Sequence, residues 1–112
     1  REAGMTTRQD AAGNLIGRAG PADGEAPALV LGSHLDTVPD AGRYDGIAGV
    51  LMAIEVVRAL RAEALPFALE VVAFWDEEGT RFGRALLGSS AAAGVWDPAW
   101  WELRDAAGTT LR

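Results

Sequence analysis

Five side chains in this sequence have the types and spacing to act on a polar bond: His34 with Asp36, then Asp45, then the adjacent Glu77 and Glu78. His34 is the sole histidine and the chain has no cysteine, so any metal must be held by imidazole nitrogen and carboxylate oxygen. Acids and an imidazole crowded on one rim repel and desolvate one another unless a cation gathers them. Zinc takes such a nitrogen and oxygen ligand set, with manganese or cobalt as alternatives. Each residue also has a plainer reading. His34 can be a satisfied histidine at a strand end, Asp45 a helix cap, Asp36 a turn former beside Pro39 and Asp40, and Asp76-Glu77-Glu78 a solvated acidic loop. Together these plainer readings require four coincidences at one place.

That place is set by the elements around it. Ala28 to Ser33 is an apolar run without alternation, as expected of a strand buried on both faces, and Leu69 to Trp75 has the same character. Between them Ile47, Val50, Leu51, Ile54, Val57 and Leu60 follow helical spacing, with Glu55, Arg58 and Arg61 on the opposite side and Asp45 as a natural N-cap. Strand, crossover helix and strand make a βαβ unit with parallel pairing inside a larger sheet. His34 and Asp36 then stand at the carboxyl end of one strand, Glu77 and Glu78 at the carboxyl end of the other, and Asp45 at the amino end of the helix. Open α/β sheets bind ligands along that edge.

Upstream, the segments Thr6 to Asp10 and Asn14 to Arg18 flank Ala11-Ala12-Gly13 and read as a hairpin. Gly20 to Pro27 reads as an exposed turn, too short to divide domains. Downstream, a short helix is expected around Ala85 to Ala93, and Trp96, Trp100 and Trp101 with Pro98 suggest an aromatic-anchored loop or lid whose rings serve packing.

Composition narrows the function classes. The 112 residues, 49% of them hydrophobic, suit one domain with a real core. The net charge of −6, with every positive charge a scattered Arg, argues against nucleic acid or an anionic membrane as partner. No run reaches the roughly 20 apolar residues of a membrane span and no signal-peptide pattern opens the chain, so the cytoplasm is the expected setting.

The blocks Gly32-Ser33-His34-Leu35-Asp36-Thr37-Val38-Pro39, Gly42-Arg43-Tyr44-Asp45-Gly46 with Gly49-Val50-Leu51, and Phe74-Trp75-Asp76-Glu77-Glu78-Gly79-Thr80-Arg81-Phe82-Gly83 resemble the amidase, hydantoinase and carbamoylase branch of the zinc exopeptidase-like hydrolases, with N-carbamoyl-amino-acid hydrolases and allantoate amidohydrolases as its members. Asp10-Ala11-Ala12-Gly13-Asn14 and Leu87-Gly88-Ser89-Ser90 extend the likeness nearly end to end. The resemblance implies an α/β fold: part of a zinc-exopeptidase-like (phosphorylase/hydrolase-like) catalytic domain, with a mixed, mainly parallel sheet and flanking helices. It implies two divalent metal ions, zinc above manganese or cobalt, with His34 ligating one, Asp45 bridging both and Glu78 ligating the second. Asp36, on the same strand face as His34, would orient the imidazole, and Glu77 would be the general base. A cis Asp45-Gly46 peptide is expected, at roughly 3 kcal/mol.

The implied reaction is metal-assisted hydrolysis of a ureido or amide C–N bond in a small carbamoyl or amide substrate. Family members carry further histidine ligands downstream and a second, smaller domain for dimerisation and closure. Residues 1–112 therefore read as a front fragment of the catalytic domain, cut at both ends, inactive alone and belonging to a homodimeric whole. Two rivals remain. A dinucleotide-binding turn fits poorly, because Gly42, Gly46 and Gly49 lack the Gly-x-Gly-x-x-Gly spacing and Asp45 would repel a pyrophosphate. A noncatalytic piece that packs against a partner supplying the rest of the site is the stronger alternative.

Overall fold

The computed structural model describes residues 3–21 and 26–112. Strands β1 (Thr6–Gln9) and β2 (Leu15–Ala19) form the expected hairpin, paired Thr6 with Arg18 through Gln9 with Leu15. β3 (Ala28–His34), helix α1 (Ile47–Leu60) and β4 (Ala68–Phe74) form the expected βαβ unit, with β3 and β4 parallel and in register from Ala28 with Ala68 to His34 with Phe74. Helix α2 (Leu87–Ala92) and a 3-10 helix (Pro98–Glu102) follow. Of the turn expected over Gly20 to Pro27, residues 22–25 lie outside the described residues.

The sheet order is β1-β2-β4-β3, and β2 pairs antiparallel with both neighbours. The sheet is therefore mixed, its parallel register confined to the βαβ unit. β4 is central and buried along most of its length, as its unbroken apolar run predicts. β3 departs from that expectation. It forms an edge with β4 on one side only, and Leu29 and Val30 are each 52% exposed. An apolar run reports that a strand is apolar, and its position in the strand order decides how much of it is covered.

Helix α1 covers one sheet face by packing Val50, Ala53 and Val57 on Leu69, Val71 and Ala73, with Ile54 and Leu31 at the margin. The buried stripe is thus turned toward Ala53, and Ile47, Leu51 and Leu60 of the predicted apolar set are exposed. Glu55 and Arg58 pair at 2.9 Å on the outer side. A second cluster joins Phe82, Leu87 and Trp100 with Trp75 and Trp96. Trp96 lies 5.0 Å edge-on from Trp100 and 4.9 Å from Trp101, so these rings serve packing as expected. Among the described residues no helix is long and apolar enough to cross a membrane.

Candidate metal centre

His34 ends β3, Asp45 lies in the loop entering α1, and Glu78 follows β4. One ligand atom from each of the three lies within 4.8 Å of the others. The parallel register of β3 and β4 accounts for this, because it sets the carboxyl ends of both strands side by side, with the α1 entry loop folded over the same edge.

The imidazole is held at one nitrogen and faces Glu78 with the other. Its Nδ1 lies 2.8 Å from the Asp36 carbonyl oxygen. An acceptor there favours the proton on Nδ1 and leaves the Nε2 lone pair facing Glu78, whose Oε1 is 3.7 Å away. Asp36 thus touches the imidazole at hydrogen-bond distance through its main chain, while its carboxylate Oδ1 stays 3.7 Å from Nδ1. The other oxygen, Oδ2, accepts the Glu78 backbone N–H at 2.9 Å. One residue therefore ties the strand bearing His34 to the loop bearing Glu78.

Asp45 does not cap α1. The N-cap is Gly46, without a side-chain cap bond, and the Asp45 carboxylate instead accepts from Thr37 Oγ1 at 3.2 Å. The expected cis peptide is also absent: every described peptide is trans. Gly46 accounts for the difference, since its φ of 64° turns the chain sharply into α1 while leaving the Asp45 carboxylate within the cluster. Ser33 Oγ donates to the Gly46 carbonyl at 2.7 Å, fixing that turn against β3. Gly46 lies so close to the imidazole that a Cβ there would sit 2.5 Å from His34 Nδ1 and Cε1.

Glu77 stands apart from the three clustered ligands. Its Oε2 is shielded from solvent and has no hydrogen-bond partner, a costly state for a carboxylate oxygen. Asp76 just before it is 5% exposed, adopts a φ of 47° and accepts the Arg81 N–H at 3.2 Å. This strained turn follows β4 and leads the chain into Glu77 and Glu78. The sequence alone did not single out Thr37, Ser33 or Asp76. The Asp-Gly pair at Asp45-Gly46 and the acid run carried the only available signals for their turns.

Three nitrogen and oxygen donors converging from separate elements suit a divalent cation. Residues 30–107 match peptidase family M20/M25/M40. The N-carbamoyl-L-amino acid amidohydrolase of Geobacillus stearothermophilus is 46% identical over 113 residues, covering 99% of this chain and 28% of the relative. Allantoate deiminase of Arabidopsis thaliana is 42% identical over 115 residues, covering 99% of this chain and 22% of the relative. A solved hydantoinase/carbamoylase family amidase from Burkholderia ambifaria superposes with a TM-score of 0.89 at 45% identity, over 99% of this chain and 28% of that one. The chain spans about a quarter of the length of these relatives. With the fold and the motif blocks matched over most of its residues, the chain belongs to peptidase family M20/M25/M40 and is similar to the hydantoinase/carbamoylase amidases within it.

Proposed function

We propose that this chain is a segment of the catalytic, metal-binding domain of an amidohydrolase that cleaves a ureido or amide C–N bond of a linear substrate such as an N-carbamoyl amino acid or allantoate. The observation that carries this reading is the convergence of His34, Asp45 and Glu78 ligand atoms within 4.8 Å. The names of its relatives support the substrate class.

In this reading His34, Asp45 and Glu78 would hold divalent metal, zinc before manganese or cobalt. Bound metal supplies Lewis acidity, which lowers the pKa of water and polarises the scissile carbonyl. Glu77 accepts the proton of the attacking water on its unpartnered carboxylate oxygen and returns it to the leaving nitrogen. Asp36 orients the imidazole and holds the Glu78 backbone. One imidazole and a few carboxylates are too few ligands for two ions, so residues outside this segment complete the site. The segment alone is then inactive. The whole protein is a cytoplasmic homodimer whose further domain closes over substrate.

A second reading, a noncatalytic piece packed against a partner, draws support from the exposed apolar residues Leu29 and Val30 on β3 and Leu51, Met52 and Val56 on α1. Co-expression with the polypeptide that follows this segment separates the two. Metal-dependent hydrolysis of N-carbamoyl amino acids or allantoate supports the enzyme, and a stable but inert complex supports the packing piece.

A further inference from the structure

The loop carrying Glu77 and Glu78 leaves β4 at Trp75, and the Trp75 peptide groups are clamped from both sides. Trp75 N–H donates to Asn14 Oδ1 at 2.9 Å, and Trp75 C=O accepts from Gly88 N–H at 2.9 Å. Asn14 is fully buried, with no measurable exposure. Its Nδ2 donates to the Gly88 carbonyl at 3.0 Å and to Asp10 Oδ2 at 2.9 Å, so one amide joins the hairpin turn, the end of β4 and α2. A side chain at Gly88 has no room: a Cβ would collide with Asn14 Oδ1 and lie 2.5 Å from Trp75 N.

From this arrangement we infer that Asn14, seated against Gly88, is a positioning residue for the acidic loop and sets where the Glu78 carboxylate sits relative to His34. The inference rests on the reading of Glu78 as a metal ligand. Satisfying buried polar groups explains why an amide is present, but not why it grips the last residue before the acidic turn. From Trp75 to Glu78 the chain can reach roughly 10 Å. A tilt of about 10° in the Trp75 peptide over that reach would move the Glu78 carboxylate by more than about 1 Å, whereas metal coordination tolerates roughly 0.2 Å. Asp36 Oδ2 and Leu86 N–H, bonded to the Glu78 N–H and the Glu77 carbonyl respectively, hold the far side of the loop, so Asn14 and Gly88 govern its near end.

The test compares Asn14→Ser and Gly88→Ala with Val57→Ala, a buried residue of α1 whose apolar cluster contains none of these groups. In the intact protein carrying this segment, zinc affinity is measured by competition with a chromophoric chelator, and the melting temperature is recorded beside it. All three variants should melt earlier. Only Asn14→Ser and Gly88→Ala should weaken zinc binding, by roughly 10- to 100-fold, the usual loss when a ligand's supporting partner is removed. If either clamp variant folds and binds zinc as tightly as wild type, Asn14 is merely a structural brace and the inference fails. If wild type itself binds no zinc, or Glu78→Gln leaves affinity unchanged, the metal-ligand reading fails first and takes the inference with it.

Discussion

Gly46→Ala is the most informative single perturbation, because it adds one methyl group at the contact between the α1 entry turn and the proposed ligand His34. The added Cβ would meet His34 Cε1 and Nδ1 at 2.5 Å and Cγ at 2.8 Å, where ordinary carbon contacts are about 3.5–4.0 Å. Relief requires the ring or the turn to shift by roughly 1 Å, about five times the tolerance of a coordination bond. The ring cannot yield freely, since Nδ1 is bonded to the Asp36 carbonyl and the turn is pinned by Ser33. The backbone at φ 64° and ψ −58° is one that a residue with a Cβ rarely adopts, at a cost of about 1–3 kcal/mol. Two readouts follow. The melting temperature should drop by roughly 5–10 °C, and zinc affinity should fall by at least roughly tenfold, about 1.4 kcal/mol. Chelator competition measures the second directly. Zinc affinity within twofold of wild type would refute the claim that the His34 imidazole is a ligand held against Gly46.

The other expectations concern separate parts of the molecule. Glu77→Gln in the complete protein should retain its metal, measured by elemental analysis, and lose roughly 100- to 10,000-fold in kcat; near-normal turnover would rule out Glu77 as the base. Thr37→Val removes the only hydrogen bond shown to the Asp45 carboxylate among the described residues and should weaken metal affinity several-fold with little change in melting temperature. Val57→Ala, at a residue 1% exposed, should cost about 1.5–2 kcal/mol in urea denaturation without changing metal affinity. In the isolated segment, Leu29→Lys with Met52→Glu should shift sedimentation toward monomer, because the exposed β3 edge and α1 face then carry charge; unchanged association would place the sticky surface elsewhere.

Much of this molecule is legible in its sequence because its signals are local. The hairpin follows from strands about Ala11-Ala12-Gly13, and the βαβ unit from two apolar runs about one periodic helix. From those elements alone His34, Asp45 and Glu78 fall on one edge, and the structure brings them together there. What the sequence could not supply depends on partners distant along the chain. The exposure of β3 follows from strand order, which its own residues do not encode. Asp45 reads locally as a cap and is drawn instead toward Thr37 and the cluster. Asn14 reads as the first residue of a hairpin strand, yet its amide reaches Gly88 and Trp75, contacts invisible until the hairpin packs on β4.

The most direct test of the account is an anomalous diffraction map, at the zinc edge, of the zinc-loaded complete protein. The account predicts a peak about 2.0–2.2 Å from a His34 ring nitrogen and from carboxylate oxygens of Asp45 or Glu78. Zinc bound elsewhere, with His34, Asp45 and Glu78 touching no ion, would contradict it.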